Sequence, residues 1–148
     1  PYILADSIVC QAREAGSFIS AMALNAALTT VFEKPCALIF GGETVVKVTG
    51  RGKGGRNQEL ALSAAIGISG QDNICIFSLG SDGTDGPTDG AGGIVDGQSA
   101  FKYKALGYDP IAILNDNNAY ELLKQSGDLL ITGPTGTNVN DVAVVLIR

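Results

Sequence analysis

The run Asn73-Ile74-Cys75-Ile76-Phe77-Ser78-Leu79 is apolar at nearly every position and too short for an ordinary helix. Such a run reads as a strand in the middle of a sheet. It empties into the densest loop of the chain, Gly80 to Gly93, and loops at strand ends are where sites are built. The remaining segments fit around it. Tyr2 to Ala5 is a short strand, and Ile8 to Phe32, rich in Ala and Leu, is a long helix closed by Glu33-Lys34-Pro35. Cys36 to Phe40 reads as a buried strand and Gly41-Gly42 as a turn. Thr44 to Thr49 reads as a partly exposed strand that pairs back on Cys36 to Phe40 as a hairpin. Asn57 to Ile68 is a helix stopped by Gly67 to Gly70. Gln98 to Leu106 and Asn118 to Gln125 are shorter helices, with a helical turn opened by Asp109-Pro110 between them. Leu129 to Ile131 and Val142 to Ile147 close the chain as strands around the polar loop Thr132 to Asp141. The expected fold is α/β, with a mixed sheet of about six strands flanked by helices and no internal repeat.

Composition removes whole classes of function. A chain of 148 residues is one ordinary domain, able to bury about two thirds of its unfolded surface. Its net charge of -5, with ten basic residues scattered along it, gives no cationic face for nucleic acid. No apolar stretch approaches the roughly 20 residues of a membrane span, and the first residues lack a signal peptide's pattern, so a cytoplasmic protein is expected. The start at Pro1, already strand-like, suggests that something precedes it. Cys10, Cys36 and Cys75 are odd in number, far apart and in apolar company, which reads as core thiols rather than disulfides or a zinc site. Histidine is absent, so Ser-His-Asp and Cys-His nucleophilic catalysis are excluded. Any chemistry must use Asp, Glu, Lys or Arg.

Two loops carry the chemistry. Gly50-Arg51-Gly52-Lys53-Gly54-Gly55-Arg56 places three cations among four glycines just before a helix. Glycines let backbone N–H groups close on an anion, the helix N-terminus adds partial positive charge, and Arg and Lys supply charge-assisted hydrogen bonds. The loop is not a Walker A motif, because no Ser or Thr follows Lys53. It does match G-x-G-x-x-G at Gly50, Gly52 and Gly55, which keeps a dinucleotide-binding alternative open. The second loop, Gly80-Ser81-Asp82-Gly83-Thr84-Asp85-Gly86-Pro87-Thr88-Asp89-Gly90, crowds three carboxylates and three hydroxyls at a strand end. It can hold magnesium, orient substrate hydroxyls or place a general base, or it can be a set of turn formers. It is not an EF-hand, since Gly93 stands where that motif needs Glu. The Thr132 to Asp141 loop can approach the same side of the sheet. Glu43 can orient Arg56, bind substrate, or be a solvated turn residue. Tyr103, Tyr108 and Tyr120 read as partial core.

Four ordered segments, Gly41-Gly42-Glu43-Thr44, Gly52 through Ala61, Gly83 through Asp89 and Thr135 through Asp141, resemble the MOFRL domain of class II glycerate kinases. The resemblance runs from about Cys36 to the C-terminus. It divides the chain into a leading strand and helix at 1–35, joining to an N-terminal domain that is absent here, and an α/β domain at 36–148. It implies transfer of the ATP γ-phosphoryl group to glycerate, usually giving 2-phosphoglycerate with Mg2+, in a cleft between the two domains. Most nucleotide contacts and an essential lysine are placed by the resemblance in the absent domain. It further implies catalytic roles among Arg56, Asp82, Asp85 and Asp89, and substrate contacts among Glu43, Lys53, Gly54, Gly55, Asn57, Thr84 and Asn138. Asp85 and Asp89 would be metal ligands. Which aspartate is the base stays open, as does the oligomeric state, a homo-oligomer included. Members of the family have also been labelled hydroxypyruvate reductase, so an NAD(P)H-dependent reductase domain is one alternative. A non-catalytic binding or oligomerisation domain is another.

Overall fold

A computed structural model describes residues 1–148. Its elements are β1 (Tyr2–Ile8), α1 (Ala12–Leu28), β2 (Cys36–Gly42), α2 (Arg56–Gly67), β3 (Ile74–Gly80), β4 (Gly92–Asp96), α3 (Ser99–Ala105), α4 (Pro110–Asn115), α5 (Ala119–Ser126), β5 (Leu129–Leu130) and β6 (Asp141–Ile147). They form one six-stranded sheet in the order β1-β2-β6-β3-β4-β5. β1 and β2 are parallel, connected through α1, and every other pair is antiparallel. The sheet is therefore mixed, as expected, but the reason differs from the expected one.

The hairpin does not form. A strand has two hydrogen-bonding edges, and those of β2 are taken by β1 and by β6, which arrives from the far end of the sequence. Residues 44–49 run on past the sheet instead, touching it through one isolated bridge between Gln11 and Val45. The sixth strand is β4, hidden in the sequence by its opening glycines. Those glycines are required by packing: a Cβ on Gly93 would lie 2.8 Å from the Ala61 Cβ and 3.0 Å from Leu123 Cδ1.

The expected helix from Ile8 to Phe32 is shorter at both ends. Its first residues stay extended because the Ala12 N–H donates to the Val45 carbonyl and the Val45 N–H to Cys10, at 2.8 and 3.1 Å. Its end is capped early. Lys34 Nζ donates to the Ala27 and Thr29 carbonyls at 2.7 and 2.8 Å, satisfying groups the helix leaves open. α4 begins as its sequence foretold, with the Asp109 carboxylate accepting from the Ile111 N–H and Pro110 in the first turn.

Side chains alternate along the central strands, and Leu38, Phe40, Ile76, Val145 and Ile147 point to the face that α1 and α2 cover. Ile19, Ala23, Leu60 and Ala64 meet them from the helices. Cys36 belongs to this core and Cys75 is half-buried, but Cys10 is exposed, because it follows the end of β1 rather than lying inside a helix. Tyr103 and Tyr120 are buried and Tyr108 partly so. No helix is long and apolar enough to cross a membrane.

At one end of the sheet the register brings Gly42, Asp141 and Gly80 side by side on β2, β6 and β3. α2 lies close against α1 on the way to that end. A Cβ on Gly16 of α1 would overlap the Leu60 carbonyl oxygen and sit 2.8 Å from the Ser63 Cβ. Gly16→Ala is expected to destabilise the fold by about 1–3 kcal/mol, the range for overpacking a close contact. A urea unfolding midpoint checks this.

Candidate functional site

The helix N-terminus of α2 is bound by the aspartate loop. Asp85 accepts from the Asn57 N–H at 3.1 Å on one carboxylate oxygen and from the Gln58 N–H at 2.9 Å on the other. A side chain 28 residues further along the chain, beyond β3, thus supplies the cap that Gly55 cannot, filling donors that every helix leaves open. Gln58 answers by donating to the Asp85 carbonyl and the Thr88 hydroxyl. Asn57 donates to Asp85 and accepts from Ser78 on β3 at 2.6 Å. Asp85 and Asn57 are only 2% and 1% exposed. Asp85, expected as a catalytic residue and metal ligand, and Asn57, expected as a substrate contact, use these polar atoms to hold the loop, the helix and the sheet together. Burial pushes the Asp85 carboxyl up to about 6, against the lowering effect of the N–H groups it accepts.

Arg56, the first residue of α2, stands at the sheet end beside Asp141. Its Nε and Nη2 donate to the two carboxylate oxygens of Asp141 at 2.5 and 3.0 Å, a bidentate pair that fixes the guanidinium plane. That pairing is the main reason its own pKa is raised. Nη1 lies 3.4 Å from Glu43, whose side chain is mostly exposed. Glu43 therefore stands within ion-pair reach of Arg56 through a single long contact. Asp141 was overlooked as a site residue, although a carboxylate opening an otherwise apolar strand was a visible signal.

The basic glycine loop differs from the expected anion cradle. Its backbone N–H groups are already used by a turn between α4 and α5. Asn117 Oδ1 accepts from Thr49 and Gly50 at 2.8 and 2.9 Å, Asp116 Oδ1 accepts from Arg51, the Asp116 carbonyl accepts from Gly52, and Asn118 Oδ1 accepts from Lys53. Gly50 and Gly52 are glycines because a Cβ on either would collide with Asp116 or Asn118. They serve protein packing. The match to a dinucleotide fingerprint fails with them, since no strand precedes the loop. Asn117 adopts a left-handed backbone (φ 54) and donates to buried Glu59, which also pairs with Arg13 at 3.0 Å. Gly54, Gly55 and Arg56 line the cleft, and their backbone N–H groups are not bonded to the 116–118 turn.

The remaining candidates spread outward. Asp82 is held by the Thr84 N–H and hydroxyl at 2.9 and 3.0 Å, which lower its pKa. Asp89 accepts from the Tyr120 hydroxyl at 2.6 Å and is lowered by that bond. Lys53 lies 4.5 Å from the centre of the Tyr120 ring, on the Asp89 side of the loop. Asn138 sits in the exposed Thr132 to Asn140 loop and accepts from the Asn140 N–H. That loop does approach the aspartate loop: the Val139 N–H donates to Ser81 Oγ at 2.8 Å, and the Thr135 N–H to the Asp82 carbonyl at 3.2 Å.

A cleft of about 910 Å³ opens between residues 43–48, the glycine loop and Gly86-Pro87, with Arg56 and Glu43 in its wall. No three acidic or cysteine side chains converge to hold a metal. Of the expected pair, Asp85 has both carboxylate oxygens on the α2 N–H groups, while exposed Asp89 accepts from Tyr120 through one oxygen.

The mixed six-stranded sheet, with the Arg56–Asp141 pair at its end on the wall of the cleft, places the chain in the α/β class of domains. Comparison with known proteins narrows that class. The MOFRL family model matches residues 36–141, and the chain belongs to the MOFRL family. It is 58% identical to the D-glycerate 2-kinase of Thermotoga maritima, covering 98% of this chain and 35% of that protein. It is 47% identical to the glycerate 2-kinase of Pyrococcus horikoshii, over 99% of this chain and 33% of that protein. A protein of Agrobacterium vitis named "Putative hydroxypyruvate reductase" is 39% identical. The crystal structure of the Thermotoga maritima glycerate kinase superposes with a TM-score of 0.97 at 57% identity, covering 99% of this chain and 36% of that one. The chain spans about a third of the length of the curated relatives it matches.

Two outcomes follow from this geometry. Asn117→Gly keeps the left-handed backbone but removes the clamp, so faster hydrogen exchange at Thr49 and Gly50 is expected, with a stability loss of about 1–3 kcal/mol from the polar groups left unpaired. The second concerns pH. Asp85 has a folded pKa of about 6, above its unfolded value of 3.8, so the folded state binds the extra proton. Its contribution is fully present at the acid end and is lost as pH rises through about 4 to 6. The stability advantage of wild type over Asp85→Asn, read from urea midpoints, is expected to shrink across that window.

Proposed function

We propose that this chain is the C-terminal part of a glycerate kinase, one that transfers the ATP γ-phosphoryl group to glycerate and yields 2-phosphoglycerate. The observation that carries the reading is the Arg56 guanidinium, locked by Asp141 on one edge and reaching the cleft with the other. A fixed guanidinium beside the free N–H groups at the start of α2 suits a carboxylate or a transferring phosphoryl group. Glu43 occupies the cleft edge of Arg56 through a long, exposed contact of the kind worth little. An anionic ligand can replace it there.

The chain has no group that is both exposed and tuned as a strong base. Asp82 and Asp89 are accessible but lowered, and Asp85 is raised but enclosed. Phosphoryl transfer tolerates this, because it depends on positioning and on spreading negative charge more than on proton abstraction. In this reading Asp82, with Thr84 and Asn138 nearby in the loops, orients a glycerate hydroxyl, while Asp89 and Lys53 border the site. A magnesium ion bound with ATP would supply further neutralisation of phosphate charge.

Charge balance supports a half-site. Around Arg56 stand Asp141, Glu43 and Asp85, so this chain offers no surplus positive charge to an anionic substrate and a nucleotide together. The balance would come from the rest of a longer polypeptide, and the 148 residues alone should not turn over. A reductase reading finds less support, since the glycines that suggested dinucleotide binding pack against the 116–118 turn.

ADP release by the full-length polypeptide with ATP, magnesium and D-glycerate tests the proposal. Arg56→Ala is expected to lower kcat by about 10²–10³-fold, as for loss of one fixed donor to developing charge. Asp141→Asn should reproduce part of that loss. Glycerate-independent ADP release, or full activity in Arg56→Ala, would sink it.

A further inference from the structure

The sheet has a second face, and none of the five helices packs on it. On β2, β3 and β6 the residues that alternate with the core remain half-buried or exposed. The register lines them up. Ile39 lies opposite Val144, Val144 opposite Phe77, and Phe77 opposite Ile94, making an apolar row across four strands. Leu79 and Leu146 extend it above and below. Ile94 and Leu146 are 37% and 44% exposed, and Asp96, opposite Cys75, places a charge at the rim. The strand sequences point the same way. Cys36 to Phe40, Ile74 to Leu79 and Val142 to Ile147 are almost continuously apolar, a pattern that belongs to strands covered on both faces, whereas a sheet with one wet face alternates. A contiguous apolar surface across four strands is also larger than a soluble monomer ordinarily leaves open.

We propose that this face docks a layer of the same longer polypeptide, from the part that lies outside residues 1–148. The relatives supply the length. This chain matches about a third of each, leaving some two thirds of the polypeptide to provide the cover. A tethered segment meets the face at high effective concentration, and its apolar chemistry is what a row of Ile, Val, Phe and Leu selects. A second copy of the chain is the competing occupant. The inference concerns packing alone and stands or falls independently of the reaction performed in the cleft.

The test uses the full-length polypeptide carrying Leu146→Cys, with maleimide labelling of that thiol read by mass spectrometry of its peptide. Exposed Cys10, on a different part of the surface, calibrates the reagent. Docking in cis predicts that the introduced thiol labels roughly 10³-fold or more slowly in native than in unfolded protein, because access then requires unfolding. The slowing should persist at dilutions where sedimentation shows a monomer. Native labelling as fast as in urea overturns the proposal. Protection that disappears when the protein dissociates to monomers overturns it as well and assigns the face to a second copy. Ile94→Cys, at the other end of the row, gives the same readout if Leu146→Cys does not fold.

Discussion

Everything at the site depends on one carboxylate enclosed at a helix start. Asp85 receives the Asn57 and Gln58 N–H groups of α2, and without it those donors would be buried with no partner beside Ser78 and the sheet. The same contact holds the aspartate loop against the helix, because Gln58 and Thr88 close the ring from the other side. Gly55 must be glycine, since a Cβ there would occupy the Asp85 carboxylate. One residue therefore determines where α2 begins, and hence where Arg56 stands. The raised pKa is the electrostatic counterpart of that enclosure: desolvation of the charge outweighs the helix N-terminus that attracts it.

Arg56 is then fixed from below by β6. Asp141 is the first residue of that strand and lies between Gly42 and Gly80 in the register, so the sheet itself sets its position. A bidentate pair to a carboxylate on a central strand leaves the guanidinium little freedom. The contact to Glu43 is of another kind. It is longer, one-sided and exposed, and a ligand that displaced it would lose little.

Much of the fold was legible because local signals and tertiary structure agreed. β3, α2, the Asp109-Pro110 start of α4 and β6 all lie close to where apolar period, capping and proline placed them. The failures share a cause. The hairpin at 44–49 and the hidden strand β4 were both decided by which strand edge was free, and edge occupancy is set by β6, a hundred residues downstream of β2. At the site, the charged loops were legible as loops but not as partners. Nothing local to Asp85 tells that it caps α2, and nothing local to Gly50 or Gly52 tells that their close neighbour is the 116–118 turn.

That last point changes how a glycine-rich loop should be read. Glycines permit a close approach, but the sequence does not say by what. Here the N–H groups of residues 49–53 are matched to acceptors on Asp116, Asn117 and Asn118, and the glycine side of the loop is filled by their backbone. A ligand arriving there would have to break those bonds. The free donors lie only at Gly54, Gly55 and Arg56, after the clamp and before Asp85 takes over the next two N–H groups. That division splits the loop in two: its first half is bonded to the 116–118 turn, and three residues lie between the two sets of protein acceptors.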